Sequence, residues 1–112
     1  MHQQALQAFQ EYREDRFTKK IVFKEQDHVV FVLNFAPGQT LPAHNHPGAT
    51  VYLTVLEGRG FMIADDRETP VAVGDLVQVA GHESFAYRGG VVNSSLSVVL
   101  IRTPGDAYAQ EI

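Results

Sequence analysis

From Phe17 onward the chain is written in short β-rich runs, each ended by glycine, proline or acidic residues. The breaks include Glu25-Gln26-Asp27, Pro37-Gly38, Pro47-Gly48, Glu57-Gly58-Arg59-Gly60 and Asp65-Asp66. Between them lie candidate strands at 18–24, 28–36, 41–46, 50–56, 61–64, 70–73, 76–80, 84–88 and 96–102. Many short strands at even spacing fold as a sandwich or a barrel. No helix-period segment separates them, which argues against parallel α/β units. The fold class read from this pattern is all-β and antiparallel. At 112 residues the chain is the size of one domain and can bury a core without cross-links; it has no cysteine with which to form any.

The first seventeen residues read differently. Ala5, Leu6, Ala8, Phe9 and Tyr12 recur at helical spacing among Gln and Glu, which predicts a short amphipathic helix within 1–17. The barrel then spans 18–103, and 104–112 is a C-terminal tail with no strong pattern. The run 28–36 has almost no polar face. In a small barrel such a strand needs cover outside as well as within, either from a helix or from a second subunit, so a homodimer is expected.

Charge excludes some partners. Nine basic residues against thirteen acidic ones give a formal charge of −4. The adjacent pair Lys19-Lys20 reads as a solvated strand start, so no nucleic-acid partner is expected. The segment 29–56 lacks Asp, Glu, Lys and Arg, but three prolines, two asparagines and two histidines interrupt it, so no membrane span is expected. Met1–Tyr12 lacks the basic start and apolar run of a secretory signal, and a cytoplasmic location is the expectation.

The chemistry concentrates in Pro37-Gly38-Gln39-Thr40-Leu41-Pro42-Ala43-His44-Asn45-His46-Pro47-Gly48. Residues two apart on a strand share a face, so His44 and His46 are expected side by side in one cavity. Paired imidazoles supply two positions of a transition-metal shell. The spacing Gly38, His44, His46, Gly58 resembles the first signature of the cupin superfamily, and Val73-Gly74-Asp75-Leu76-Val77-Gln78-Val79-Ala80-Gly81 resembles the opening of the second. The resemblance covers about residues 30–101 and implies a jelly-roll barrel, often dimeric, of very broad function.

The sequence departs from that pattern where a metal would be held. The resemblance places a ligating Glu at Thr50 or Val51, with the count from Gly58 selecting Val51. It places a ligating His at Phe85, or at Ser84 when counted from Ala80-Gly81. His82 and Glu83 are the nearest residues able to ligate, as alternatives for the third position. With one of them, His44 and His46 would hold a divalent metal (Fe, Ni, Zn or Mn) with open sites for catalysis. Phe31, Phe35, Phe61, Phe85 and Tyr87 are expected as aromatic lining, most of them as packing, and Tyr52 either as a phenol at the cavity or as a core tyrosine with a satisfied hydroxyl.

Three functions follow as expectations. The first is a metalloenzyme acting on a small organic molecule, of dioxygenase or isomerase type. The second is a metal-free, non-catalytic binding or sensor module using the same cavity. The third is a sugar-nucleotide epimerase-like protein in which His and Tyr transfer protons. It is the weakest, because Arg59, Arg88 and Arg102 are too scattered to receive a pyrophosphate.

Overall fold

A computed structural model describes residues 1–102; the expected tail at 104–112 lies outside the described residues. Nine strands follow one another in antiparallel order: β1 (Thr18–Lys24), β2 (His28–Phe35), β3 (Thr40–His44), β4 (Ala49–Glu57), β5 (Arg59–Ala64), β6 (Arg67–Ala72), β7 (Leu76–Val79), β8 (Phe85–Gly89) and β9 (Ser94–Arg102). They form a five-stranded sheet of order β1-β2-β9-β4-β7 and a four-stranded sheet of order β3-β8-β5-β6. The two faces enclose the core of a jelly roll. No helix among the described residues is long and apolar enough to cross a membrane.

Alternation explains which side chains go inside. On β4, Val51, Leu53 and Val55 are buried while Thr50, Tyr52 and Thr54 are not. β9 places Leu96 and Val98 opposite them, and β2 contributes Phe31, Leu33 and Phe35. β8 supplies Phe85 and Tyr87 from the other sheet. Tyr87 closes one end of the core: its ring lies 4.7 Å from Phe35, and its hydroxyl donates to Ser94 Oγ at 2.7 Å. Asp65 and Asp66 both take positive φ, the two-residue hairpin turn whose twist matches its strands.

The N-terminal segment differs from its amphipathic reading. Its helical part is one 3-10 turn, Leu6–Phe9. The carbonyls that a longer helix would use internally are taken by the barrel. Asn34 Nδ2 donates to the Phe9 carbonyl at 2.9 Å, and Thr18 Oγ1 donates to the Glu11 carbonyl at 2.6 Å. Asn34 also donates to Thr18 Oγ1 and accepts from Ser95 Oγ at 2.7 Å. Because the Ser95 proton goes to Asn34, the Tyr12 hydroxyl donates to Ser95, at 2.6 Å. Asn34 and Ser95 are fully buried, and this network satisfies them. The segment is thus latched over the outer face of β2 and β9. It supplies, within one chain, cover at the Asn34 end of the apolar 28–36 run.

Candidate functional site

The site is built by a turn. β3 ends at His44, so His46 lies just beyond the strand rather than on it. Pro47-Gly48 folds the chain back: the Ala49 N–H donates to the His46 carbonyl at 3.0 Å, and Gly48 takes φ +82. Pro at the second position and a left-handed Gly at the third are the residues this turn requires. The β7–β8 loop packs on top of it. A Cβ at Gly81 would lie 2.5 Å from the Ala49 carbonyl oxygen and 2.6 Å from that of His46, so only glycine permits this approach.

The two imidazoles do meet in one cavity. Their ring centroids are 4.7 Å apart at an interplanar angle of 85°. Phe85 packs against both, at 4.6 Å from His44 and 6.3 Å from His46. The Nδ1–H of His44 donates to the Pro42 carbonyl at 2.8 Å, which assigns the tautomer and leaves Nε2 as the free nitrogen. Burial is the main reason the pKa of His46 falls below the ordinary imidazole value; the neighbouring His44 and the Lys19 ammonium act in the same direction.

Behind the rings lies a cavity of about 240 Å³. Its apolar wall comes from Phe31 and Leu33 of β2, Val51 and Leu53 of β4, Phe85 of β8 and Val98 of β9, with Phe17 and Leu41 at the rim. Its polar side chains are Lys19, His44 and His46. The sequence pattern groups Lys19 with Lys20 as a solvated strand start. The register separates the two: Lys19 pairs with Leu33, a cavity residue, and its ammonium sits 4.5 Å from the centre of the Phe31 ring. Lys20 faces the other way and forms an ion pair with Glu11 at 3.0 Å. The alternation of β1 carried that signal.

Other expected site residues are placed elsewhere. Tyr52 has the opposite parity from Val51 and Leu53, faces outward, and accepts a hydrogen bond from Gln78 Nε2 at 3.0 Å. The His–Tyr pair needed for epimerase-like proton transfer is therefore not formed. His82 is exposed and lines a separate groove with Asn45, Thr50 and Ala80. The Glu83 carboxylate accepts the Ala80 N–H at 2.8 Å and closes its own loop. Neither lines the cavity with His44 and His46. Phe35 and Tyr87 are core, and Phe61 packs under the Arg88 guanidinium at 4.8 Å. A second cleft of about 280 Å³, beside Phe61, Val71 and Val91, is slightly larger. Its charged residues are Arg59 and Asp75, and the Asp75 carboxylate accepts the Ala72 N–H.

The fit to a metal fails at two positions. Of the residues where the resemblance places a Glu, Val51 is in the cavity wall, 1% exposed, and Thr50 lines the separate groove; of those where it places a His, Phe85 is in the wall, 3% exposed, and Ser84 is exposed outside it. An aliphatic and a phenyl side chain offer no electron pair. Among the described residues, no group of three His, Asp or Glu side chains could hold a metal ion. Two imidazoles are fewer protein ligands than the three of a typical catalytic site.

Comparison with known proteins settles the family. The model for the Cupin domain matches residues 31–92, more than half of the chain. The chain belongs to the cupin family. Among solved structures, this cupin superimposes on TT1209 from Thermus thermophilus with a TM-score of 0.85 at 22% identity, covering 93% of this chain and all of that one. A double-stranded β-helix protein from Klebsiella pneumoniae gives 0.84 at 18% identity, covering 91% and 90% of the two chains. The Cupin_2 domain of an XRE family transcriptional regulator from Enterobacter cloacae gives 0.71 at 18% identity, covering 79% and 98%. These likenesses establish the cupin barrel. Among curated proteins, none matches the sequence.

Proposed function

We propose that this cupin binds a small organic molecule in its barrel mouth and does so without a resident metal. The observation that carries the reading is the pair Val51 and Phe85, buried in the cavity wall at the positions of the missing ligands. Their apolar side chains turn a metal cradle into a binding wall. A facial-triad dioxygenase would need a carboxylate beside the two imidazoles, and the described residues bring none into the cavity. The Enterobacter cloacae neighbour, a cupin domain of a transcriptional regulator, agrees with a binding or sensing role.

A second reading has one observation in its favour. The His44 Nδ1–H donates to a backbone carbonyl, as the outer nitrogen of a metal-ligating histidine does. Two imidazoles would then take a metal only together with a chelating organic molecule. The test is calorimetric titration of chelator-treated protein with Zn²⁺, Ni²⁺, Mn²⁺ and anaerobic Fe²⁺, followed by screening of small organic molecules by thermal shift. The proposal expects stabilisation by an organic molecule in chelator. Tight binding of a metal alone, in the micromolar range or below, would overturn it.

A further inference from the structure

We infer that the cavity selects a small organic monocarboxylate: an apolar body about the size of one ring, carrying one carboxylate held at the Lys19–His44–His46 mouth. The inference rests on the binding-pocket reading above and names its ligand class.

Three observations lead to it. The first is the sign of the charge. The protein is acidic overall, at −4, yet the cavity is lined by one lysine and two imidazoles and by no Asp or Glu. No Asp or Glu of the described residues lines the cavity beside Lys19, so no carboxylate in its wall neutralises this mouth. The salt bridges among the described residues engage Arg13, Lys20, His28 and Arg88, and Lys19 is in none of them. A cationic group at the lip of a low-dielectric cavity focuses its field into the opening and favours an anion.

The second is where Lys19 is held. Its ammonium stands over the Phe31 ring, itself a cavity wall, at 4.5 Å. The contact keeps the charge at the mouth while its hydrogen-bond donors stay available. His46 lines the same cavity, and an imidazole always carries at least one N–H. An ammonium and an imidazole on one cavity suit a carboxylate, which accepts through two oxygens.

The third is size and lining. Apart from its mouth, the cavity is walled by aliphatic and aromatic side chains, which leave nothing for a second polar group of the ligand to pair with. Its volume of about 240 Å³ exceeds the ~150 Å³ of a cavity that holds benzene, and falls below the ~300 Å³ at which pockets for drug-sized ligands begin. Inorganic anions match the charge but leave that wall unfilled.

The experiment titrates chelator-treated protein with phenylacetate, phenylacetamide and acetate, by calorimetry or NMR, in the wild type, Lys19→Met and Lys20→Met. In the wild type, phenylacetate is expected to bind about tenfold or more tighter than phenylacetamide, the scale of a charge-assisted hydrogen bond, and tighter than acetate by a larger factor. Lys19→Met should bring the acid-to-amide ratio close to one. Lys20→Met removes the same charge from the opposite face and should keep the ratio. Equal or tighter binding of the amide by the wild type would overturn the carboxylate class while leaving the pocket reading in place. Binding of neither phenyl compound would overturn both. An unchanged ratio in Lys19→Met would overturn the assignment to that residue.

Discussion

Replacing Phe85 by His should create the metal site that this barrel lacks. The Phe85 ring is 4.6 Å from His44 and 6.3 Å from His46, and it is 3% exposed. An imidazole at that place would bring a third nitrogen toward the other two, and three nitrogens at 2.0–2.1 Å from a common centre make a typical three-histidine zinc site. Without metal, the variant loses much of the apolar burial of a phenyl ring. The cost is ~2 kcal/mol, about 8 °C in melting temperature for a domain of this size. With metal at one hundred times its dissociation constant, the native state gains about 2.7 kcal/mol. That corresponds to a rise of roughly 11 °C, which more than offsets the loss. The assay is a thermal melt of wild type and Phe85→His, each in Zn²⁺ and in chelator. The expected result is a zinc-dependent rise in the variant and a much smaller one in the wild type. An equal rise in both would refute the argument that Phe85 excludes the metal. A folded variant with no rise would refute the convergence of the three rings.

Three further predictions follow from the same geometry. Asn34→Ala removes a fully buried side chain that donates to the Phe9 carbonyl and to Thr18 and accepts from Ser95; urea denaturation should show a loss of about 2–4 kcal/mol, with easier proteolysis of the N-terminal segment. Gly81→Ala presses a methyl group onto the His46 and Ala49 carbonyls and should cost ~1–3 kcal/mol and weaken ligand binding, whereas Gly48→Ala, with open space at its Cβ, should show only the ~1–2 kcal/mol cost of a left-handed residue. Burial and neighbouring positive charge lower the His46 pKa in the folded state, so between that value and about 6.5 the unfolded chain binds more protons; stability should rise with pH across this window and level off above it, and His46→Gln should flatten the slope measured by denaturation from pH 5 to 8.

Much of the barrel was legible because its punctuation is chemical. Pro37-Gly38, Pro47-Gly48 and Asp65-Asp66 adopt turns that few other residue pairs allow, and the strands between them begin and end close to where those pairs place them. The imidazole pair was legible for the same reason, although His46 reaches the cavity through a turn and not through strand alternation. The N-terminal segment was not legible. Its apolar spacing is helical, but isolated helices of this length are marginal, and Asn34 and Thr18 compete for its carbonyls. Asn34, the one polar residue in the run 29–36, was the available clue. Tyr52 faces outward because it alternates with the buried Val51 and Leu53, and the Pro47-Gly48 turn leaves no parity count from His46 that would place it. His82 and Glu83 are near the right place in sequence, but no spacing rule reveals that the Glu83 carboxylate closes its own loop. Lys19 was missed because adjacent lysines look alike until strand register assigns them to opposite faces.

The central claim is that the mouth of this cupin receives an organic ligand with no metal present. NMR spectra of the imidazole carbons of His44 and His46, recorded in chelator during titration with phenylacetate and phenylacetamide, test it most directly. The account predicts saturable shifts of both rings in chelator with at least one of the two compounds. Rings that stay still with both until a divalent metal is added would contradict it.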